Sequence, residues 1–597
     1  MRRRTQCASF SCLGTDEADD MSVVLKFISL TACLAVAACS VRPVQVGQSA
    51  DIVLLNGRFH TVDDANPNAE AVAIADGRFV YVGSTEGASH YIGEDTIDAD
   101  LGGQFVIPGI IDGHTHPARR GTAKYDAYIG VGGHEETLKQ LREVALENPG
   151  KDWLRICCFT YRNYVGEGKL GPDKAELDEI FPDRPVMVLS LTAHSLWVNS
   201  AALGIMGIDG GTSDPAPNVA YYGRDENGEP SGWLVEGAGW QHLSGLFPAH
   251  PEAIEDALDT ALSKLQSFGV TTVYDGGNFG YEDGVYAYLA ELDRAGKLPV
   301  RYEGTFAVPV PERLGDAITE TLRLQEQYGG NRLNFGTVKL FMDGITPELA
   351  GGMIEPYVGY PDRQQSTTLS VGELRDWLLE LHAARLDLHV HTIGNLSVRR
   401  VLDAVEAAQA IIGDGFYPRV SVAHLETIHI EDWPRFAELG VSANFTPHWH
   451  GRPLSNMSTD LLGMERAMHI YPANALINAG ANVTFGSDSF DPDDFNPMLS
   501  FQVGHNRRYP EEWGPEAGFR PPASEKISLD NLVRGYTLNG AYPLRFEEDL
   551  GSIEVGKIAD LVVLDASPFE VDRFEINRIS PTLVIMEGEI TLGELNP

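Results

Sequence analysis

The stretch Val106–Gly121, VIPGIIDGHTHPARRG, ends an apolar run in His114 and His116. On an extended strand, residues one apart project to the same side, so two imidazoles converge where the run stops. The pattern recurs down the chain. Lys339 lies in VKLFM, His389 and His391 in LHVHT, His424 in VAHLE, His448 and His450 in PHWH, and Asp488 in FGSD. Imidazole and carboxylate are the donors that suit Zn²⁺ and its neighbours. One histidine-tipped run is equally well a surface loop. If these runs converge, a metal site explains them most economically.

Convergence needs a scaffold. Eight strand candidates run over 104–116, 270–277, 300–308, 335–344, 386–394, 419–426, 441–449 and 482–489. Between them lie helical stretches, with apolar residues at three and four spacing over 371–385 and 397–412. Alternating strands and helices predict an α/β chain with a parallel sheet, and eight such units predict a (β/α)8 TIM-type barrel over 106–545. In that architecture chemistry sits at the C-terminal ends of the strands. The first gap is too long for one crossover and predicts an inserted subdomain over about 118–265. The chain ends read differently. Short alternating runs turn at Asn56-Gly57, Asp76-Gly77 and Glu587-Gly588, which suit tight hairpins. Segments 51–105 and 546–597 are expected to pair into one small β-sandwich.

The chain carries 45 Lys and Arg against 85 Asp and Glu, a net charge of −40. Such a surface repels phosphate backbones, so nucleic acid is excluded as a partner. Residues 1–38 read as leader and signal: Met21 is a second plausible start, and an apolar stretch leads to Val36-Ala37-Ala38-Cys39. It is too short to span a membrane comfortably, which takes about 20 apolar residues. The stretch resembles a bacterial lipoprotein box. That resemblance implies lipidation of Cys39, a tether over 39–50 and, with Ser40 following the cysteine, a periplasm-facing place on the outer membrane. Cys157 and Cys158 are sequence neighbours, which seldom pair, so no disulfide framework is expected.

VIPGIIDGHTH, HSLWVNSAAL (194–203), VKLFMDG, HTIGN (391–395), VAHLETI, GSD (486–488) and GSIEVGKIADLVVLD (551–565) together resemble the amidohydrolase superfamily, and within it amidohydrolase family 3, the YtcJ-like branch. The resemblance covers nearly the whole chain from about residue 50. It implies a zinc-dependent hydrolase with two ions. His114, His116 and Asp488 would hold one, His391 and His424 the second, and Lys339 would bridge them as a carbamate. An apolar strand agrees with that role, since burial favours the neutral, reactive amine. A structural ion pair with Asp343 is the plain alternative. Asp488 would also shuttle the proton, as the catalytic residue. The chain departs from the family's pattern at Asn395, where Asp is usual, and at Ala423, where Glu is usual.

His389 shares a face with His391 one layer lower and reads as packing. His448 or His450 is a candidate donor to substrate. The resemblance implies that His194 and Asn199 face the pocket; a helix N-terminus and a solvated face are the alternatives. Trp233 and Glu236 are candidates for the same mouth, and Asp491–Asp494 reads as a solvated loop. The substrate expected is a small molecule with an N-substituted amide or formamide C–N bond. A cyclic amide or lactone, or a metal-binding lipoprotein without catalysis, are the rival readings.

Overall fold

Along Thr337–Phe341 every residue is buried, yet the two faces differ. Val338 and Leu340 join the core beneath the helices, while Lys339 and Phe341 line a cavity. This period-two division repeats along a series of parallel strands, and it is what separates scaffold from chemistry. A computed structural model describes residues 49–595 except 167–168, 362, 364–365, 455 and 512–517. The leader, Cys39 and most of the tether fall outside the described residues.

The strands that carry the candidates are β1 (Ile110–Thr115), β2 (Val270–Asp275), β3 (Arg301–Glu303), β4 (Ala307–Val308), β5 (Thr337–Phe341), β6 (Asp387–Thr392), β7 (Val420–His424), β8 (Ser442–Phe445) and β9 (Val483–Phe485). They form two parallel sheets. One has the order Leu333–Asn334, β3, β2, β1, and the other runs β4 through β9 in chain order. In the second sheet Lys339 stands beside His389, Phe341 beside His391, and Thr392 beside His424. Helices Pro251–Ser267, Glu282–Arg294, Leu314–Tyr328, Val371–Ala384 and Asn395–Ile412 cover the outer faces. Ser370 and Glu373 cap the fourth reciprocally, which fixes where it starts.

The α/β class is as expected, with two corrections. The run expected over 300–308 is two strands, β3 and β4, which belong to different sheets. Among the described residues no ladder joins β9 to β1, so the sheets do not form a continuous hydrogen-bonded ring. Among the described residues the seam is crossed by backbone bonds from the Asp488 amide to the His114 carbonyl at 2.6 Å and from the His116 amide to the Ser489 carbonyl at 2.9 Å. Gly486 permits this approach, because a Cβ there would lie 2.5 Å from the His114 nitrogen.

Between β1 and β2 the chain builds a six-stranded mixed sheet from Ala127–Tyr128, Leu154–Phe159, Val186–Ser190, Ser195–Val198, Tyr221–Arg224 and Pro230–Val235. Cys157 and Cys158 are joined to each other, contrary to the expectation; the strand is irregular between Cys157 and Phe159. Both chain ends contribute to another six-stranded sheet. Phe105–Pro108 runs antiparallel to Leu561–Leu564, with Val106 opposite Val563. A four-stranded sheet of Arg78–Gly83, Ala71–Ala75, Ile52–Leu55 and Ile97–Asp100 shares its core, which includes Leu54, Ile74, Leu561 and Ile585.

A buried ion cluster ties the terminal sheets to the site-bearing strands. Arg301 on β3 pairs with Asp560 and, at 2.9 Å, with Glu587, which also takes Arg332 at 2.6 Å. Arg301 and Asp560 are 6% and 5% exposed. Removing one partner of such a pair strands the other charge, at a cost of about 3–5 kcal/mol. Asp560→Ala should therefore lower the urea or thermal midpoint markedly. Glu587→Ala, at a side chain 34% exposed, should shift it less.

Candidate metal centre

The histidine-bearing strand ends converge as the sequence suggested, and the orientation of each ring has an identifiable cause. His114 is buried, and its Nδ1 lies 2.8 Å from His389 Nε2. That contact turns His114 Nε2 toward Lys339 Nζ and Asp488 Oδ1, each at 3.3 Å. His116 Nε2 meets the same Asp488 oxygen at 3.3 Å, and His424 Nδ1 meets the other at 3.4 Å. The ligand atoms of His114, His116 and Asp488 lie within 4.8 Å of one another. The His391 and His424 rings are 4.3 Å apart between centroids. Nε2 of each is buried with no protein partner.

The electrostatics suit a cation. Burial drives the pKa of His114, His389, His391 and His424 well below the usual histidine range, and the neighbouring Lys339 charge pushes the same way. Neutral imidazole is the ligand form. Burial would raise the Asp488 carboxyl, but the His116 hydrogen bond and the His116 and Lys339 charges more than offset it, so it stays ionised. Four imidazoles, two of them with orphaned buried nitrogens, and a carboxylate are the donor types that suit a divalent ion. Lys339 is fully buried, and burial pushes its ammonium down to about 7. It does not pair with Asp343, whose carboxylate is occupied by the Ile393, Gly394 and Gly352 amides and the Ser397 hydroxyl.

Two ligand-bearing residues hold unusual backbone. His424 has φ 73° and Asp488 φ 47°, a region costly for residues other than glycine. Asp112 braces the backbone beside Asp488. Its Oδ1 accepts the His114 amide at 3.2 Å and the Ser487 amide at 2.9 Å, joining the β1 and β9 ends beneath the centre. Sequence reasoning passed over Asp112, although it stands in the quoted motif two residues before His114. It also took His389 as packing. His389 does stack on Tyr274, with centroids 4.5 Å apart, but its bond to His114 makes it the group that orients that ring.

The centre opens into a cavity of about 590 Å³ walled by Tyr161, Trp240, Phe279, Phe341, Trp449 and Tyr471. His194 and His448 line it. His194 Nδ1 lies 2.7 Å from Glu236 Oε2. Burial lowers the His194 pKa, but the Glu236 and Glu348 charges overcome this and leave it raised. The remaining candidates lie elsewhere. Asn199 caps the helix Ser200–Met206, and its carboxamide is taken up by backbone of Ala202, Val186, Phe181 and Arg184. This corrects the expectation that it faces the pocket. His450 is fully buried and stacks on Tyr471 at 5.1 Å; it is packing, not a cavity donor. Trp233 is likewise sealed in the core. Asn395 accepts the Ile354 amide and Ala423 is buried within β7. Asp491 and Asp494, expected to be a solvated loop, line the cavity, and Asp491 pairs with Arg120 at 2.7 Å. Arg452, which no motif flagged, lines it too, as does Glu426, which stands in the VAHLE motif but was given no role.

A model of the amidohydrolase family matches residues 98–592. The chain belongs to that family. A putative amidohydrolase, YtcJ, from Bacillus subtilis is 27% identical over 89% of this chain and 98% of its own length. The N-substituted formamide deformylase of Arthrobacter pascens is 26% identical over 91% and 98%. The Arabidopsis thaliana protein LONG AFTER FAR-RED 3 is 28% identical over 88% of each chain. Among solved structures, an uncharacterized metal-dependent hydrolase from Pyrococcus horikoshii superposes with a TM-score of 0.63 at 21% identity, covering 87% of this chain and 99% of its own.

Partners that orient a metal-ligating histidine typically control metal affinity by about 10–100-fold. His389→Ala should fold but lose an added divalent metal to a competing chelator at least tenfold more readily than wild type. Equal retention, measured by atomic absorption after dialysis, would show that His389 only packs.

Proposed function

We propose that this chain is a zinc-dependent amidase that hydrolyses an N-substituted amide or formamide at a site carried by a (β/α)8-type frame. The carrying observation is the convergence of His114, His116, His391, His424, Lys339 and Asp488 at one cavity. The match to a formamide deformylase across nearly its whole length supports the choice of bond. His114, His116 and Asp488 would hold one ion and His391 and His424 a second. The Lys339 amine, neutral above about pH 7, would add to the carbon of CO₂ and release a proton, giving a carbamate that bridges the pair. Bound zinc lowers the pKa of water to about 7 and polarises a carbonyl oxygen.

The protein's own groups do the rest. Asp488 accepts the proton of the attacking water and delivers it to the leaving nitrogen, a transfer that needs hydrogen-bond reach. His194, whose pKa Glu236 raises against burial, and His448, at the cavity wall, are placed to donate to the carbonyl oxygen as it gains charge. The Trp240, Phe279 and Phe341 wall excludes bulk water from the reacting bond, which strengthens these interactions.

We also propose that Cys39 is acylated and holds the enzyme on the periplasmic face of the outer membrane. Among the described residues no helix is long and apolar enough to cross a membrane. Cys39→Ala should move the protein from the membrane to the soluble fraction; retention in the membrane would refute the anchor.

Lys339 carboxylation is checked by ¹³C NMR after exchange with labelled bicarbonate. A carbamate resonance should appear in the zinc enzyme, form more slowly as pH falls below 7 because the amine is then protonated, and be missing in Lys339→Ala. Asp488→Asn keeps a residue that tolerates the left-handed backbone, so it should melt near wild type. Loss of general acid–base help should cut kcat by about 10²–10⁴-fold. A stable variant with wild-type turnover would remove Asp488 from the mechanism.

A further inference from the structure

The cavity wall formed by residues after β8 carries a cation that the hydrolytic chemistry does not use. Arg452 lines the cavity. Its guanidinium lies 4.7 Å from the centroid of the Trp449 ring and bonds to the Tyr509 hydroxyl. Among the described residues no carboxylate forms an ion pair with it, and Glu426 acts on it only through space. A guanidinium offers five N–H donors in a rigid fork, and these contacts leave donors for a ligand. In a chain of net charge −40, such a cation in a substrate cavity is a specific feature.

The wall around it is built to stay in place. Arg520 is buried and donates to the Arg452 and Ala467 carbonyls at 2.6 and 2.8 Å. Arg507, also buried, donates to the Tyr471 and Ile470 carbonyls, both at 3.3 Å. Neither meets a carboxylate among the described residues. Three guanidinium groups thus adjoin one wall, bonded to carbonyls, a hydroxyl and rings, with the Glu426 and Glu525 charges acting on them only through space. Burying such groups unpaired is costly, and an anion entering the cavity would offset that cost. His448 lines the same cavity as Arg452 and Asp488.

We propose that Arg452 determines specificity by gripping a carboxylate on the substrate, so that the substrates are amides of carboxylic acids with an apolar or aromatic body. This rests on the amidase reading above. The fork suits a planar carboxylate bidentately, and the Tyr161, Trp449 and Tyr471 rings suit the body. Glu426 also lines the cavity, and the Thr346 hydroxyl occupies one of its oxygens. Its charge makes an ammonium-bearing ligand the competing outcome.

Calorimetric titration of the zinc enzyme with 3-phenylpropanoate, its neutral amide 3-phenylpropanamide and the cation 3-phenylpropylamine separates these cases. Wild type should bind the carboxylate at least tenfold more tightly than the amide. Arg452→Gln should bring that ratio close to one, and Arg452→Lys, which keeps charge without the fork, should fall between. Both variants should melt near wild type; should Arg452→Gln fail to fold, the wild-type ratio and Arg452→Lys carry the test. An advantage that survives both substitutions, tighter binding of the amine, or no binding of the carboxylate overturns the assignment. Turnover of N-formylphenylalanine against N-formylphenylalaninamide distinguishes the two readings. Binding preference with hydrolysis of neither compound sinks the amidase and leaves the Arg452 site standing. Equal hydrolysis without binding preference does the reverse.

Discussion

Two strands that share no ladder meet at a seam of backbone hydrogen bonds, from the Asp488 amide to the His114 carbonyl at 2.6 Å and from the His116 amide to the Ser489 carbonyl at 2.9 Å. The remaining geometry depends on it. It sets the Asp488 carboxylate against His114 and His116, both at 3.3 Å, although about 370 residues of chain separate them. Gly486 allows the backbones to close, and Asp112 receives an amide from each side. Without this seam the two halves of the donor set would sit on different sheets with nothing to fix their spacing.

The centre is a place where stability is given up. Several buried imidazoles and a buried lysine face one carboxylate, and His424, Leu425 and Asp488 adopt left-handed backbone, at roughly 1–3 kcal/mol each. The surrounding core over-determines these conformations: Val338, Leu340, Val390 and Val422 are fully buried behind the ligand-bearing faces. Burial does double duty. It holds the rings neutral, and it makes the Lys339 amine available near neutral pH.

Most of this was legible. A strand shows its faces by alternation, so the positions of Lys339, His391 and His424 follow once the runs are recognised as parallel strands. The strand positions and the helices over Val371–Ala384 and Asn395–Ile412 follow from local period alone. What was missed lies off that period. The break between β3 and β4 and the open ladder at β1 and β9 are properties of pairing, which local sequence does not encode. Asn199 was drawn to the cavity by its motif, but the motif serves a helix cap. His450 shares the alternation of His448, yet the turn Pro447–Gly451 is a tight helix and not a strand, so its side chain faces the core. Arg452 and Glu348 stand outside the motifs, where no spacing marks them, and Glu426 stands in VAHLE two residues after His424 yet was given no role.

The shared terminal sheet has a consequence for biogenesis. Phe105–Pro108 leads into β1 through Gly109, and its partner is Leu561–Leu564. During synthesis this edge therefore stays open until residues 561–564 have emerged. Such non-local pairing is slow and leaves intermediates prone to aggregation. The segment that leads into the His114 strand thus gets this neighbour late, and a chain cut before Leu561 would lose the clasp on it.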